Sequence, residues 1–317
     1  MEEKLVKILN EMADYLNISQ MKKLQETLLK HLAENEAKTE EIPNVEYLKM
    51  FIDAKQIEGC SERTLQYYRV TIEHMLGSID TPIRKITTDE IRGYLVDYQK
   101  VNNCSKVTVD NVRRNMSSFF SWLEEEDYIL KSPMRRIHKI KTKQPVKETI
   151  TDEMIEKLRD NCTCVRDLAM IDLLYSTGIR VGELVGLNIS DIDFEERECI
   201  VFGKGDKERR VYFDAKAKLH LQEYIESRTD DNPALFVTLD APHARLKISG
   251  VEIRVRELGR KLNIDKIHPH KFRRTMATRA IDKGMPIEQV QKILGHSQID
   301  TTMQYAIVNQ NNVKVSH

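Results

Sequence analysis

The sequence predicts a mainly α-helical protein with a small β-hairpin in its C-terminal half. Residues 44–128 carry apolar side chains at helical spacing and show little strand character. Two short β-rich runs, 198–202 and 209–213, flank Gly203-Lys-Gly-Asp-Lys207, a composition typical of a hairpin. The chain has 317 residues, enough for about two domains. We therefore expect a helical domain followed by an α+β domain.

The composition favours a folded protein that does not cross a membrane. Apolar residues make up 40% of the chain and charged residues 32%, a balance that supports a packed core. No apolar run approaches the roughly 20 residues that span a bilayer, and the N-terminus lacks the features of a signal peptide. The five cysteines are scattered, and Cys162-Thr-Cys164 lacks the spacing and the second pair of a zinc site. Reduced thiols of this kind are usual in the cytoplasm, where we expect this protein.

Residues 1–42 are predicted to form an acidic helical extension. Two amphipathic patterns follow each other, the second with Ser19 as its N-cap, and a polar stretch then leads to Pro43. Residues 1–48 hold six lysines and ten acidic residues, a net charge of −4. DNA phosphates would repel such a segment, so we expect it to contact an accessory protein or another protomer.

Residues 43–128 are predicted to form a small helical bundle. Helix-starting signals at Ser61, at Thr88 and at Ser105 each precede apolar residues at helical spacing. The aromatic residues of Phe119-Phe-Ser-Trp122 could stack on bases. At helical spacing among other apolar side chains, a packed core is the favoured interpretation.

Residues 129–149 are predicted to be a basic interdomain linker. The whole chain has 50 basic and 50 acidic residues, but residues 129–150 hold seven Lys/Arg and one Glu, a net charge of +6. Residues 251–283 hold ten basic and four acidic residues, again +6. Two basic blocks in a neutral chain indicate localised contact with phosphates, although a solvated tether is the alternative for the first. The linker residues expected to touch DNA are Arg135, Arg136, Lys139, Lys141 and Lys143.

Several polar motifs in the C-terminal domain, residues 150–317, could carry chemistry. Arg180 and Glu183 lie three residues apart at the start of a helix, so they share a face. A surface pair and a phosphate-binding site both stay open for them. Lys204 lies between two glycines at the hairpin tip, where a solvated turn is the alternative. No P-loop pattern is present, so nucleotide hydrolysis has little support.

Two histidine motifs and one tyrosine follow. His270 and Arg273 share a helix face, and His296 follows Gly295, which is expected to end a helix. A metal site is disfavoured because no Asp, Glu or Cys lies at ligand spacing beside the histidines. Tyr305 is one of eleven tyrosines and carries no signal by itself.

Six residues in this order resemble the active site of the tyrosine recombinases, also called phage-type integrases: Arg180, Lys204, His270, Arg273, His296 and Tyr305. The resemblance rests on TGIRVGEL, GKGDKERR, HPHKFRRTMAT and LGHSQIDTTMQYA and spans nearly all of residues 151–306. Residues 44–128 resemble the family's helical core-binding domain, and the compact plan is nearest to Xer-type recombinases and short transposon or phage integrases. There are two departures. Arg274 stands where members often have His, and residues 1–40 do not resemble the arm-binding domain of larger phage integrases.

The resemblance implies a covalent mechanism. The Tyr305 hydroxyl would attack a DNA phosphodiester, form a 3′-phosphotyrosyl bond and release a 5′-hydroxyl. Arg180 and Arg273 would bind the non-bridging oxygens, and Lys204 would give a proton to the leaving oxygen. No ATP is expected, because the covalent intermediate conserves the bond energy, and no metal or other cofactor is expected, because the arginines would stabilise the charge that a metal otherwise would.

The other motif residues would support this reaction. His270 and His296 would add hydrogen bonds at the phosphate, and His270 is a candidate acceptor of the tyrosine proton. Glu183 would orient Arg180. The residues expected to contact DNA beside the active site are Lys207 and Arg274.

The resemblance also implies an assembly. It implies a double-stranded core site with inverted repeats, a dimer on each site and a homotetramer on two duplexes, with the tail after Tyr305 packed on a neighbouring protomer. Such a protein would lie at the nucleoid in a bacterial cytoplasm. Three other functions are alternatives: a type IB topoisomerase, a DNA-binding factor without catalysis and a metal-dependent nuclease. The size of the chain and its helical N-terminal domain disfavour a topoisomerase. The complete six-residue set disfavours a non-catalytic DNA-binding factor, and the lack of clustered carboxylates disfavours a metal-dependent nuclease.

Overall fold

The chain folds into two compact units, Met1–Gln144 and Pro145–His317. The computed structural model describes residues 8–13, 15–37, 42–142, 148–203, 208–264, 266–296 and 298–306. Within these residues the protein is mainly helical, with one three-stranded antiparallel sheet in the second unit. The predicted fold class is therefore confirmed. No helix in this described part is long and apolar enough to span a membrane.

Helix α1 (Ile18–Ala37) comes first in the chain of the first unit. The helices that pack around this unit's core are α2 (Asn44–Ile57), α3 (Glu62–Leu76), α4 (Thr88–Val101) and α5 (Lys106–Glu125), with 3₁₀ turns at Ile83–Lys85 and Pro133–Arg136. Ser61 and Ser105 cap α3 and α5 as predicted, each accepting the backbone N–H three residues further on.

Two predicted helix starts are wrong by a residue or two. Thr87 rather than Thr88 caps α4, where it forms a capping box with Glu90. Asn17 rather than Ser19 exchanges side-chain hydrogen bonds at the start of α1. In each case a neighbouring residue of the capping type accepts the free N–H groups of the first turn.

An aromatic cluster forms the centre of the first unit's core. Phe51, Phe119 and Phe120 are fully buried, and Trp122 is 6% exposed. Phe51 meets Phe119 edge to face with 5.2 Å between ring centroids, a favourable aromatic geometry. The core interpretation of these aromatic residues is therefore confirmed, and their rings lie inside the bundle rather than on a base-stacking surface.

The start of the segment predicted as a linker packs on the same bundle. Ile129 and Met134 are buried in its core, and Ile137 and Ile140 pack against it. These apolar side chains stand among the basic residues, and their burial removes them from water. The segment up to residue 142 therefore lies within the first unit.

The second unit packs helices around a small sheet. Its helices are α6 (Asp152–Asp160), α7 (Val165–Thr177), α8 (Val181–Gly186), α9 (Ala215–Glu226), α10 (Ile248–Lys261), α11 (Pro269–Asp282), α12 (Ile287–Leu294) and α13 (Ile299–Ala306). Strands β1 (Ile192–Asp193), β2 (Glu198–Phe202) and β3 (Glu208–Tyr212) pair in that order. The two predicted β-rich runs are confirmed as β2 and β3. Helix α7 is central, because Met170, Leu173 and Leu174 are fully buried where it packs on α9 and α11.

Candidate active site

Two left-handed glycines shape the segments that meet at the site. Gly178 ends α7 with a φ of +63°, which lets the chain turn so that α8 begins directly after Arg180. Gly295 ends α12 with a φ of +62°, as predicted, and His296 follows it. The start of α11 supplies Arg273. Side-chain bonds to backbone carbonyls tie these segments together.

Arg180 and Glu183 are bonded to each other at the start of α8. One carboxylate oxygen accepts the Arg180 backbone N–H at 2.7 Å, and the other accepts its guanidinium at 2.8 Å. The Glu183 side chain is 4% exposed, whereas that of Arg180 is 35% exposed. Glu183 thus holds Arg180 from the buried side and leaves it within reach of a ligand.

The structure adds a residue that the sequence analysis did not single out, Arg209 on β3. Its guanidinium donates to both oxygens of Glu183 at 2.7 Å, and its Nε donates to the Ile293 carbonyl at 2.8 Å. Side chains two apart on a strand share a face, and Val211 is fully buried. This alternation was the available signal, because it turns Arg209 inward and Arg210 outward.

Three consecutive backbone carbonyls at the C-terminal end of α12 each accept a hydrogen bond from a different arginine. The pairs are Arg209 with Ile293, Arg273 with Leu294, and Arg180 with Gly295 at 3.0 Å. A helix ends in unpaired carbonyls with partial negative charge, so cations are stabilised there. Arg273 also donates to the carbonyl of Gly178 at 2.8 Å. Both arginines of the predicted active site are therefore held by backbone oxygens.

His296 and Tyr305 lie next to each other beyond this helix end. Their rings stack with 6.0 Å between centroids. His296 Nδ1 is hydrogen-bonded to Oγ1 of Thr302 at 2.9 Å, and Thr302 is fully buried. Tyr305 is half-buried and packs against apolar side chains of α11 and α12. Thr302, which no sequence pattern marked, thus fixes the histidine beside the tyrosine.

Burial and the three arginines together set the charge states of the site. Burial and these arginines lower the pKa of His296 to about 4, so its ring is neutral at pH 7. Protein atoms that displace water from part of the His270 ring, together with two of the arginines, also lower the pKa of His270. Burial alone would raise the pKa of Glu183, but the bonds from Arg209 and Arg180 hold that pKa below its usual value. Three guanidinium groups and one carboxylate leave a net positive charge, which suits a phosphate.

The remaining predicted site residues lie outside this arginine cluster or outside the described residues. Three lysines lie outside the described residues: Lys143, Lys204 and Lys207. Exposed residues of the first unit include Arg136, Lys139 and Lys141. Arg135 pairs with Glu124 at 2.6 Å. In the second unit His270 is exposed, and Arg274 donates to the carbonyl of Glu148 at 3.0 Å. Among the residues that the structure describes, no three His, Cys, Asp or Glu side chains cluster as metal ligands would.

Two protein-family models match the chain. Residues 146–312 match the phage integrase family, and residues 47–130 match the phage integrase N-terminal SAM-like domain. The first match alone covers more than half of the 317 residues.

Curated relatives match over most of their length. The chain is 30% identical over 288 residues to the tyrosine recombinase XerC of Oceanobacillus iheyensis, covering 86% of this chain and 94% of the relative. It is 32% identical over 282 residues to the tyrosine recombinase XerC of Leptospira interrogans, covering 85% and 91%.

Solved structures share the fold. A Tn1549 transposon integrase in complex with a circular intermediate DNA has a TM-score of 0.69 at 20% identity, covering 82% of this chain and 94% of that chain. A lambda integrase dimer bound to a COC′ core site has a TM-score of 0.70 at 18% identity, covering 84% and 95%. The XerH site-specific recombinase bound to a palindromic difH substrate has a TM-score of 0.68 at 19% identity, covering 98% and 93%.

Proposed function

The chain belongs to the phage integrase family and is a site-specific tyrosine recombinase, and we propose that it cuts and rejoins DNA through a covalent bond to Tyr305. Such recombinases need neither a metal nor ATP. The proposed active-site residues are Arg180, Lys204, His270, Arg273, His296 and Tyr305, with Glu183 in support. The observation that carries this proposal is the stacking of Tyr305 on His296 directly after the helix end that holds the two arginines.

The proposed first step exchanges one phosphoester bond for another. The Tyr305 oxygen attacks phosphorus, the bond to the 5′ oxygen breaks, and the 3′ phosphate stays on the tyrosine. The tyrosine proton passes to His270, whose lowered pKa keeps the ring neutral and able to accept it at pH 7. Lys204 gives a proton to the departing oxygen. A second 5′-hydroxyl reverses these steps on a new strand, so the bond energy is conserved.

Arg180 and Arg273 are assigned the stabilisation of the transition state. Each guanidinium has five N–H donors, and the protein bonds described above use two of them in each. Further donors can bind the non-bridging oxygens, where charge builds as the fifth ligand approaches phosphorus. Loss of one such donor group is expected to slow cleavage by on the order of 100- to 1,000-fold, roughly 3–4 kcal/mol.

A suicide substrate tests the covalent step. A core site nicked near the cleavage position loses a short fragment after attack, so the covalent complex accumulates. Short inverted repeats in the DNA that flanks the gene are the first source of such a site. We expect an SDS-resistant complex with the wild type and none with Tyr305→Phe. Tyr212→Phe is the matched control, since Tyr212 is exposed on β3. A complex formed by Tyr305→Phe at the wild-type yield would overturn the proposal.

The proposed substrate is a double-stranded core site with inverted repeats, bound by a dimer and joined to a second site in a homotetramer. The lambda integrase dimer on its core site supports the dimeric part by analogy of fold. Residues proposed to contact the DNA backbone are Arg135, Arg136, Lys139, Lys141, Lys143, Lys207 and Arg274. Neutralising any of them should weaken binding to all sequences alike and reduce its salt dependence. Binding to chromosomal DNA would place the protein at a bacterial nucleoid.

We assign the domains as an extension (1–42), a core-binding domain (43–128), a linker (129–149) whose first part packs on the core-binding domain, and a catalytic domain (150–317). The two family matches support the second and the fourth. The acidic charge of residues 1–48 supports a contact of the extension with another protomer or an accessory protein rather than with DNA.

A further inference from the structure

We propose that Arg209 is a positioning residue for recombination, which sets Arg180 through Glu183 and ties both to the end of α12. This inference rests on the proposed function, in which Arg180 binds the phosphate. Arg209 comes from β3, whereas Arg180 directly precedes α8 and Glu183 lies in its first turn, so the link depends on the tertiary structure alone.

The Glu183 carboxylate is shared evenly between the two arginines. Its Oε1 accepts one guanidinium nitrogen from each, at 2.8 Å from Arg180 and 2.7 Å from Arg209. Its Oε2 accepts the Arg180 backbone N–H and the second Arg209 nitrogen, both at 2.7 Å. A planar guanidinium matches a carboxylate in this two-pronged way, which a lysine cannot reproduce.

The bonds of Arg209, rather than its exposure, distinguish it from the proposed phosphate ligands, because Arg273 is itself only 3% exposed. The Arg209 side chain is 12% exposed, and all three of its guanidinium nitrogens donate to protein groups. By contrast, the Arg180 side chain is 35% exposed and makes one of its two guanidinium bonds to Glu183. Arg209 therefore holds the Glu183 carboxylate, whereas Arg180 remains able to bind a phosphate.

The charge balance gives this arrangement a consequence for catalysis. With a neutral residue in place of Arg209, Arg180 alone would balance the negative charge of Glu183. The carboxylate would then compete with the phosphate for Arg180. With Arg209 in place the cluster keeps a net positive charge next to Arg273. Arg209 also fixes the end of α12 through the Ile293 carbonyl, three residues before His296.

Kinetics at saturating DNA test the proposal. We expect Arg209→Met to slow single-turnover formation of the covalent complex by roughly 10- to 100-fold, the scale of a small misplacement of catalytic groups, with Kd for the core site within about 2-fold of wild type. Arg209→Lys, which keeps the charge but loses the two-pronged bond, should recover part of the rate and keeps the test valid where the methionine variant unfolds. Arg210→Met is the matched control, because Arg210 lies on the opposite strand face and pairs with Glu198; its rate should stay within about 2-fold of wild type.

A double-mutant comparison separates action through Glu183 from a general structural effect. If Arg209 acts through the carboxylate, Arg209→Met combined with Glu183→Gln should be about as slow as the slower single variant. Three results would each overturn the proposal. The rate defects of the two single variants could multiply in the double variant, Arg209→Met could react as fast as Arg210→Met, or Arg209→Met could lose DNA affinity in proportion to its loss of rate. Tyr305→Phe is run in parallel: if it still forms the covalent complex, the proposed function fails, whereas a defect in Tyr305→Phe without one in Arg209→Met removes the positioning role alone.

Discussion

Gly295 offers a way to separate backbone strain from the placement of the arginines. A Cβ at this position would lie 3.0 Å from Cδ and 3.2 Å from Nε of Arg209, and the φ of +62° is left-handed. Gly284 also has a left-handed φ, +86°, but a Cβ there meets nothing within 4 Å. Alanine should therefore cost about 1–2 kcal/mol of strain at either position, whereas only Gly295→Ala displaces Arg209.

The two alanine variants should look alike in stability and differ in catalysis. A cost of about 1–2 kcal/mol corresponds to roughly 2–8 °C in Tm for a unit of this size, measured by calorimetry. Cleavage at saturating DNA should fall on the order of 10- to 100-fold for Gly295→Ala, because its carbonyl receives Arg180 and its neighbours receive the other two arginines. Gly284→Ala should cleave at the wild-type rate. Equal cleavage rates for the two variants would refute the argument.

Three further predictions concern the core, a titrating histidine and the C-terminal tail. Phe120→Ala should lower the free energy of unfolding by about 3–5 kcal/mol, because Phe120 is fully buried; urea denaturation measures this against the exposed control Tyr67→Ala, and a loss below about 1 kcal/mol would contradict it. The pKa of His296 is lowered from 6.5 to about 4, so the unfolded state takes up this proton first and the second unit should lose stability as pH falls from 6.5 to about 4. His296→Gln should flatten that part of the Tm profile, and an unchanged slope would argue against a buried neutral ring. Deleting residues 308–317, which lie beyond the described residues, should lower the yield of tetramer on DNA in analytical ultracentrifugation with little change in Kd; an equal yield would refute a packing role for the tail.

Local signals predicted most of the fold. The apolar periodicity of α5, the glycine that ends α12 and the β-rich runs of β2 and β3 all act over a few residues, so the sequence displays them directly. The same locality explains the errors at Thr88 and Ser19. Several adjacent residues could accept the N–H groups of the first turn, and sequence alone does not decide which of them takes the extended conformation of a cap.

Local sequence patterns predicted only part of the candidate active site. Spacing joined Arg180 to Glu183, because residues three apart on a helix are neighbours. Arg209 binds Glu183, 26 residues earlier, and the Ile293 carbonyl, 84 residues later. Contacts across such distances arise only when the sheet packs against α8 through β2 and against α12 through β3. Strand alternation could therefore mark Arg209 as facing inward without identifying its partners.

The end of α12 links the two halves of the proposed chemistry. Its last carbonyls hold the arginines that would bind the phosphate, and the chain continues from them into His296 and on to Tyr305. A displacement of α12 would therefore carry the phosphate ligands and the nucleophile in the same direction. Reaction rates are sensitive to misplacements of about 1 Å between reacting groups. Anchoring both groups to one helix end reduces the independent motions that could separate them, and this gives a physical reason for three arginines to converge on a single short helix.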